Sequence, residues 1–359
     1  MDHKPISVGL AAYGLSGRVF HAPVISCHTG FELTKIVERR PRGAKDRYPH
    51  VEVVPDFQDL LRDEALELVV VNTPEHTHYE LAKQALEAGK HVVVEKAFTP
   101  TAVEAQKLIN LAREKGRVLS VYQNSRWNGD FLTIQKILEA KLLGELVEYE
   151  AHFDRFRNFI QPDSWKEEPK PGIGVLYNLG SHLIDQALVL FGWPDAVWAH
   201  LRTMRPGGQV VDNFEMILFY ERLKVTLKSS YLVREPGPRY TLHGTQGSFV
   251  KFGFDPQEEA LGAGRLPSEP GWGQEPPESW GNLNTELNGL RFEGKVETIP
   301  GSYVRYYDSI YGAIREQKPL AVTAEQARQT IALIEAAMQS DHEQQILELD
   351  PLPRDLWGF

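Results

Sequence analysis

The first third of the chain alternates short apolar runs with helix-like stretches. Leu66–Asn72 and His91–Glu95 are nearly continuous apolar runs of strand length, which is typical of strands buried on both faces of a parallel sheet. Tyr79–Ala88 and Thr101–Lys115 have the length of helices, and a glycine that can end a helix follows each of them. This repeated strand–helix–strand order predicts a doubly wound, mostly parallel sheet over residues 1–125.

Residues 126–349 show a different pattern. Strand-like runs follow one another through short turns, which predicts a large, mostly antiparallel sheet. Helices at Tyr303–Glu316 and Ala324–Asp341 are predicted to close this α+β domain. Residues Asp255–Gly289 are rich in Pro, Gly and Glu and are predicted to form a long ordered loop. The sequence therefore predicts an α/β protein with domains at 1–125 and 126–349 and a C-terminal tail at 350–359.

The composition narrows the class of protein. The 359 residues are 42% hydrophobic and 25% charged, which are ordinary values for a globular protein long enough for two domains. The formal net charge of −10 disfavours a nucleic-acid partner. A single cysteine, Cys27, excludes an internal disulfide framework and fits a reducing compartment. Because no targeting segment and no apolar run of ~20 residues is visible, the sequence predicts a cytoplasmic protein without a membrane partner.

A glycine-containing turn follows the first predicted strand. The run Gly9–Gly14 has the spacing of a dinucleotide fingerprint with alanine in place of the second glycine. Glycines there allow a tight turn and let the backbone approach a pyrophosphate at a helix N-terminus. A purely structural turn is the alternative, but the position between the first strand and helix of the series favours nucleotide binding. The residues of this turn predicted to contact the cofactor are Gly9, Ala11, Tyr13, Gly14 and Leu15.

The end of the second predicted strand indicates which nicotinamide cofactor is bound. An acidic residue there takes the ribose 2′-hydroxyl of NAD(H), whereas a basic residue suits the 2′-phosphate of NADP(H). Arg39 and Arg40 favour NADP(H), because the guanidinium binds phosphate with a rigid fork. Glu38 keeps NAD(H) possible, since a shift of one residue would place its carboxylate at the key position. A solvated charge cluster is the third interpretation.

Two further features carry candidate chemistry. Lys96 follows Glu95 at the end of a predicted buried strand, where ligands bind in open α/β sheets. Its ammonium would stabilise a developing alkoxide, with a surface lysine as the alternative. Asn178, His182 and Asp185 are spaced to share one face of a predicted helix. His182 is a candidate general base or acid, with a structural histidine capped by Asp185 as the alternative.

Other polar residues are assigned less directly. His76 and His78 have no further ligands at metal-site spacing, so no metal is predicted, and they are expected beside the nicotinamide or in helix capping. The polar and aromatic run Tyr122–Trp127 fits the lining of a polyol cleft or a domain junction, and the two interpretations are compatible.

Together these residues resemble the glucose–fructose oxidoreductase / inositol dehydrogenase / rhizopine catabolism (Gfo/Idh/MocA) family. The matching segments are the Gly9–Gly14 turn, G-R-V-F-H-A-P (Gly17–Pro23), N-T-P-x-x-x-H (Asn72–His78), A-G-K-H-V-V-V-E-K (Ala88–Lys96) and G-S-H-L-I-D (Gly180–Asp185). Within the family the chain is most similar to the NADP-dependent scyllo-inositol dehydrogenases, through Tyr122–Thr133, Gly237–Gly244 and Ser248–Gly264. The similarity extends from the first strand to about Leu349.

The resemblance implies a Rossmann domain followed by a domain whose open sheet often serves oligomerisation, so a homodimer or homotetramer is expected. It implies hydride transfer between a secondary alcohol of a cyclic polyol or sugar and the nicotinamide, with substrate between the domains. Lys96 would be the catalytic lysine and His182 the proton-transfer histidine, with Asn178 positioning one of them. Further predicted cofactor contacts are Asn72, Thr73, Pro74, His76, His78, Glu95, Lys96 and Asn124. The predicted substrate contacts are Lys96, Tyr122, Trp127, Arg157, Asn178, His182 and Tyr240.

The sequence departs from the family pattern at three positions. Ala97 stands where the family usually has proline after the lysine, which would relax the placement of Lys96. Asn178 and Asn128 stand where carboxylates are usual. An amide can orient an imidazole or a hydroxyl but cannot stabilise an imidazolium by charge. A non-catalytic NAD(P)-binding regulatory homologue is therefore the alternative to a dehydrogenase.

Overall fold

The computed structural model describes residues 4–40 and 43–351. It divides the chain into two compact units. The first comprises the described residues up to Trp127, with Pro256–Trp272 and Ser302–Arg328. The second comprises Asn128–Asp255, Gly273–Gly301 and the described residues from Gln329 onward. Most of the predicted tail, residues 352–359, lies outside the described residues.

The described helices alternate with strands through most of the chain. The α-helices are α1 Ala22–Ser26, α2 Ala44–Arg47, α3 Phe57–Leu61, α4 His78–Glu87, α5 Ala102–Lys115, α6 Gly129–Glu139, α7 Ser181–Phe191, α8 Gln257–Gly262, α9 Val304–Glu316 and α10 Ala324–Glu343. Wider π-helical turns at Gly17–His21 and Leu176–Gly180 precede α1 and α7. Within the described residues, no helix is long and apolar enough to cross a membrane.

The first unit is built on a six-stranded parallel sheet. Its strands are β1 Ile6–Leu10, β2 Phe31–Val37, β3 Glu52–Val54, β4 Leu68–Val71, β5 His91–Val94 and β6 Leu119–Val121, in the order β3-β2-β1-β4-β5-β6. All residues of β4 are fully buried, which agrees with the apolar run that predicted it. The strand order reverses between β1 and β4, so the carboxyl ends of these strands flank the point where open α/β sheets bind ligands. The predicted parallel sheet is confirmed.

The second unit contains a nine-stranded sheet. Its strands are β7 Leu146–His152, β8 Ala196–Arg202, β9 Asn213–Phe219, β10 Lys224–Ser230, β11 Tyr240–Gly244, β12 Gly247–Lys251, β13 Gly281–Leu287, β14 Leu290–Val296 and β15 Leu347–Glu348. The order is β14-β13-β12-β11-β7-β10-β9-β8-β15. Only the β7–β10 pairing between these described strands is parallel, so the predicted mostly antiparallel sheet is confirmed.

The predicted long loop Asp255–Gly289 is wrong. It contains helix α8 and strand β13, which pairs with both β12 and β14. In β13 the buried positions Gly281, Leu283 and Thr285 alternate with exposed polar residues. Because only one of the three buried side chains is large and apolar, the period-two pattern of a strand is masked in the sequence.

The predicted domain ranges differ from the observed units in one respect. The segments Pro256–Trp272 and Ser302–Arg328 belong to the first unit, although the prediction placed them in the second domain. Helix α9 shows the physical reason. Its buried Tyr306 and Tyr307 pack against Tyr122, with ring centroids 4.8 and 6.0 Å apart. An apolar helix face indicates burial, but it does not indicate which sheet the helix will cover.

Candidate active site

Two glycines, one near the end of β1 and one beyond the loop after it, lie close to neighbouring atoms. Gly9 lies within β1, and a Cβ there would stand 2.9 Å from a methyl carbon of Leu66, so Gly9 permits close packing. At Gly17, a Cβ would stand 2.5 Å from the Ala12 carbonyl oxygen. The turn prediction did not include Gly17, although its sequence signal was the third glycine of the series, three residues after Gly14.

Asn72, at the end of β4, holds this loop. Its Oδ1 accepts a hydrogen bond from the Ala12 N–H at 3.0 Å, and its Nδ2 donates to the Ala12 carbonyl at 2.8 Å. Tyr13 is buried and Leu15 is 58% exposed, so the loop turns outward beyond Tyr13. A backbone brought to the surface by small residues, at the strand-order reversal, fits a dinucleotide pyrophosphate.

The residues at the end of β2 separate into two groups. Arg39 and Arg40 are exposed. One oxygen of the Glu38 carboxylate accepts a hydrogen bond from the Ala44 N–H at 3.0 Å, at the start of α2. Glu38 therefore helps to hold this helix, and the exposed guanidinium groups are the ones available to a phosphate.

The segment after β4 contacts the residues that follow the neighbouring strand β5. The hydroxyls of Thr73 and Thr77 are 2.6 Å apart, and Pro74 and His76 are partly exposed. His78 is fully buried, with its ring nitrogens 2.8 Å from the Ala97 carbonyl oxygen and 2.9 Å from that of Thr73. The buried His78 therefore holds the carbonyl of Ala97, the residue after Lys96. This role differs from the predicted contact with the cofactor.

Glu95 is the centre of a buried hydrogen-bond network beside Lys96. Its Oε1 accepts bonds from the Ser16 hydroxyl and from His21 Nε2, the latter at 3.0 Å. Its Oε2 accepts the backbone N–H of Lys96 at 3.0 Å. Burial opposes ionisation, but the hydrogen bond and charge of His21, the charge of Lys96 and the bond from Ser16 lower the pKa of Glu95 to about 2. Lys96 itself is partly exposed.

The network continues from His21 to helix α9. The hydroxyl of Tyr307 lies 2.7 Å from His21 Nδ1, and both residues are fully buried. The Lys96–Ala97 peptide bond is cis, and Ala97 is buried. The carbonyl of Ala97 is held by His78, so the position that lacks the family proline is fixed by a hydrogen bond.

Of the residues predicted in the run Tyr122–Trp127, Tyr122 is placed inside the first unit. Its hydroxyl donates to the Phe20 carbonyl at 3.3 Å, and its ring lies 4.3 Å from that of His21. Burial and the nearby Glu95 carboxylate raise the pKa of its phenol well above the usual value. The predicted substrate contact through Tyr122 therefore does not fit its buried position. Asn124 and Trp127 are also buried, with 7% and 8% of their surface exposed.

In the second unit, His182 lies in the first turn of α7. Asn178 lies in the preceding π-helical turn, so the two residues are not on the regular helix face that the spacing predicted. The Asn178 Nδ2 donates to the Tyr231 hydroxyl at 3.2 Å. His182 is 7% exposed, and its ring lies 6.1 Å from that of Phe153. Asp185 is buried further along the same helix.

Tyr231 connects two predicted site residues and was missed in the sequence. Besides its bond to Asn178, its ring lies 5.6 Å from the exposed Arg157 guanidinium. Tyr231 follows strand β10, and no motif marks it. Tyr240, in contrast, is fully buried, and its hydroxyl bonds Gln186 at 2.9 Å, a position that does not favour the predicted substrate contact.

Arg239 is a second residue that the sequence did not indicate. It is 3% exposed, and its guanidinium lies 4.4 Å from the Phe153 ring centroid. Among the described residues its three side-chain nitrogens have no hydrogen-bond partner. The Oδ2 atom of the nearby Asp130 also lacks a hydrogen-bond partner among the described residues. Burial raises the pKa of the Asp130 carboxyl, and the charges of Arg239 and Lys251 oppose this shift without overcoming it. In residues 4–40 and 43–351, no group of three or more His, Cys, Asp or Glu is placed to hold a metal ion.

Comparisons with known proteins identify the family of both parts of the chain. A model of the oxidoreductase family's NAD-binding Rossmann fold (GFO_IDH_MocA) matches residues 6–123, and a model of the family's C-terminal alpha/beta domain matches residues 135–349. The scyllo-inositol 2-dehydrogenase (NADP(+)) of Bacillus subtilis is 43% identical over 348 residues, which cover 96% of each chain.

Solved structures extend the similarity to the whole described fold. A crystal structure from Bacteroides fragilis is 50% identical, covers 96% of this chain and 100% of its own, and has a TM-score of 0.89. An oxidoreductase from Bacillus cereus is 35% identical, with coverage of 97% and 99% and a TM-score of 0.87. Both parts of the chain are therefore accounted for by one family. The chain belongs to the Gfo/Idh/MocA family of oxidoreductases, and it is close in sequence to an inositol dehydrogenase.

Proposed function

We propose that this protein is an NADP(H)-dependent dehydrogenase acting on a secondary alcohol of a cyclic polyol of the inositol type. The observation that carries the proposal is the 43% identity to a scyllo-inositol 2-dehydrogenase (NADP(+)) across 96% of both chains. In the reaction, the alcohol and NADP⁺ give a ketone, NADPH and a proton.

The proposed cofactor site uses the loop after β1 and the end of β2. The loop held by Asn72 and kept open at Gly17 would receive the pyrophosphate. Arg39 and Arg40 would bind the 2′-phosphate, because exposed guanidinium groups can form paired hydrogen bonds to phosphate oxygens. NAD(H), which lacks this phosphate, is the weaker cofactor in this proposal. When bound, the nicotinamide exchanges a hydride with the alcohol carbon.

The chain's own residues would handle the proton and the charge on oxygen. Lys96 donates a hydrogen bond to the reacting oxygen and stabilises the negative charge that develops there. His182 takes the hydroxyl proton during oxidation and returns it during reduction. The Asn178 amide, already bonded to Tyr231, orients the substrate or the imidazole without adding charge. Trp127 and Arg157 remain proposed contacts to the other hydroxyls.

A matrix of cofactors and polyols tests this function. NADP⁺ and NAD⁺ are each combined with a panel of inositols and aldoses, and nicotinamide reduction is followed by absorbance. We expect the highest kcat/KM with NADP⁺ and an inositol, and a value at least about tenfold lower with NAD⁺, the equivalent of one lost charge-assisted contact. Tight NADPH binding without turnover on any substrate would support the non-catalytic regulatory homologue instead.

Two sequence predictions stay predictions. Cytoplasmic residence is inferred from the single cysteine and from the amino-acid pattern. Assembly into a homodimer or homotetramer through the nine-stranded sheet is inferred from the family resemblance. Size-exclusion chromatography with light scattering measures the second directly.

A further inference from the structure

The hydrogen-bonded chain Tyr307–His21–Glu95 is the best-defined buried polar feature of the first unit, and the proposed reaction does not yet use it. Its three members are 0–8% exposed. His21 and Tyr307 are 286 residues apart in sequence, yet Nδ1 and the hydroxyl are 2.7 Å apart. The chain ends at Glu95, whose Oε2 accepts the backbone N–H of Lys96.

The direction of the hydrogen bonds follows from the charge of Glu95. An ionised carboxylate only accepts, so Ser16 and His21 Nε2 both donate to Oε1. His21 Nε2 therefore carries a hydrogen, and the Tyr307 hydroxyl occupies the other ring nitrogen. Both ring nitrogens of His21 are therefore hydrogen-bonded, which fixes the orientation of the ring. The fixed ring in turn holds Oε1 of Glu95.

Among the titratable residues that face Glu95, Lys96 is a basic residue that is partly exposed. The titratable groups that face the carboxylate are His21, Lys96, Tyr122, Tyr306 and Tyr307. Burial raises the pKa of all three tyrosines, so they are neutral at ordinary pH. The contact that joins Glu95 to Lys96 is the 3.0 Å bond from the Lys96 backbone N–H to Oε2, so the fixed carboxylate holds the main chain from which the Lys96 side chain extends.

We propose that Tyr307 and His21 are positioning residues that hold the Glu95 carboxylate in place, and that this carboxylate, through its bond to the Lys96 N–H, holds the main chain at Lys96 for the reaction. The proposal deepens the proposed function and rests on it for the role of Lys96 in turnover. The arrangement itself is independent of any substrate, so it can be tested without turnover.

The first experiment measures the hydrogen bond of the Lys96 backbone N–H in the whole protein. Amide hydrogen exchange of Lys96 is followed by mass spectrometry with residue resolution. In Glu95→Ala we expect the Lys96 amide to exchange at least about tenfold faster, because its acceptor is lost. Unchanged exchange in a folded Glu95→Ala variant overturns the proposal. Since neither cofactor nor substrate is present, a protein that turns over no polyol still gives this result, and the two failures are distinguishable.

A pair of tyrosine variants tests the positioning role. Tyr307→Phe removes only the hydroxyl that bonds His21. Tyr306→Phe is the matched control, because Tyr306 is the adjacent buried tyrosine of α9 and its hydroxyl bonds Ser120 at 2.9 Å instead. We expect kcat to fall about tenfold in Tyr307→Phe with the NADPH dissociation constant unchanged, and the Lys96 amide to exchange faster than in the wild type. Tyr306→Phe keeps the wild-type kcat and the wild-type exchange of Lys96. Equal behaviour of the two variants would show that the hydroxyl on His21 serves packing alone.

Discussion

Glu95 in the first unit and Asp130 in the second are both buried carboxylates, and their pKa values shift in opposite directions. Burial alone raises the pKa of each, because a low-dielectric interior disfavours the charged form. For Glu95, the hydrogen bonds and charges around it outweigh burial and lower the pKa to about 2. For Asp130, burial prevails over the charges of Arg239 and Lys251, and the pKa is raised.

The difference lies in direct hydrogen bonds rather than in nearby charge. Glu95 accepts bonds on both oxygens. Asp130 has the Phe131 N–H on Oδ1 at 2.7 Å, and within residues 4–40 and 43–351 its Oδ2 has no partner. The two cations near Asp130 do not bond to it, since Lys251 pairs with Glu275 at 3.1 Å and Arg239 lies over aromatic rings. A buried charge is therefore held by donors in contact, and of these two carboxylates Glu95 is the one that has them.

The largest expected effect separates the two regions by activity. Lys96→Ala should lower kcat about a thousandfold while NADPH still binds, because the group that stabilises the charge on the reacting oxygen is lost. Asp130→Asn is the control from the other region and should retain a kcat close to that of the wild type. Steady-state kinetics and a fluorescence titration with NADPH measure both quantities. Wild-type turnover in Lys96→Ala would refute the assignment, and an equal loss in both variants would make the regions functionally equivalent.

The next effect concerns stability at neutral pH. Glu95→Gln should lower the free energy of unfolding by about 3 kcal/mol, the equivalent of the depressed pKa of this carboxylate. Asp130→Asn should be at least as stable as the wild type, because its amide carries no charge to desolvate. Urea unfolding at pH 7 compares the two. If Asp130→Asn were the less stable variant, the contrast between the regions would be reversed.

The same two variants predict opposite dependences on pH. The pKa of Glu95 is about 2 in the folded protein against 4.5 for the free side chain, so its stabilisation is complete above pH 4.5 and is lost as the pH falls toward 2. Glu95→Gln should lack this part of the acid loss of stability. The pKa of Asp130 is raised above 3.8, so Asp130 lowers stability as the pH rises through that region, and Asp130→Asn should not. Thermal unfolding midpoints between about pH 2.5 and 7 test both signs; parallel curves for wild type and Glu95→Gln would contradict the first.

The features that could be predicted from the sequence are those set by residues close together in the chain. The parallel sheet was predictable because β4 and β5 are continuous apolar runs that need no knowledge of their neighbours. The position of Lys96 after a buried strand was predictable from the apolar run that precedes it, and its role in the reaction stays a prediction. The helix that contains His182 was predictable from the sequence. The π-helical turn that precedes this helix and contains Asn178 was not, because such a turn leaves no mark in residue spacing.

Features that join distant parts of the chain were beyond sequence reasoning. The His21–Tyr307 bond spans 286 residues, and nothing near either residue indicates the other. Tyr240 and Tyr122 were predicted at the substrate because aromatic side chains next to polar residues suit a sugar, yet both are buried by elements that the local pattern does not identify. Arg239 precedes Tyr240 in the chain, and its burial among aromatic rings depends on Phe153 in another strand segment.

The smallest expected effect compares one buried tyrosine hydroxyl from each region. Tyr307→Phe removes a hydroxyl that bonds His21, so it should lower the free energy of unfolding by about 1 kcal/mol. Tyr149 is also fully buried, close to Asp130 and Arg239, but its hydroxyl has no hydrogen-bond partner in the described part of the chain. Tyr149→Phe should therefore be neutral or stabilising, because it removes a polar atom that burial penalises. Urea unfolding of both variants distinguishes them, and a loss in Tyr149→Phe as large as that in Tyr307→Phe would mean that the Asp130 region is as fully hydrogen-bonded as the Glu95 region.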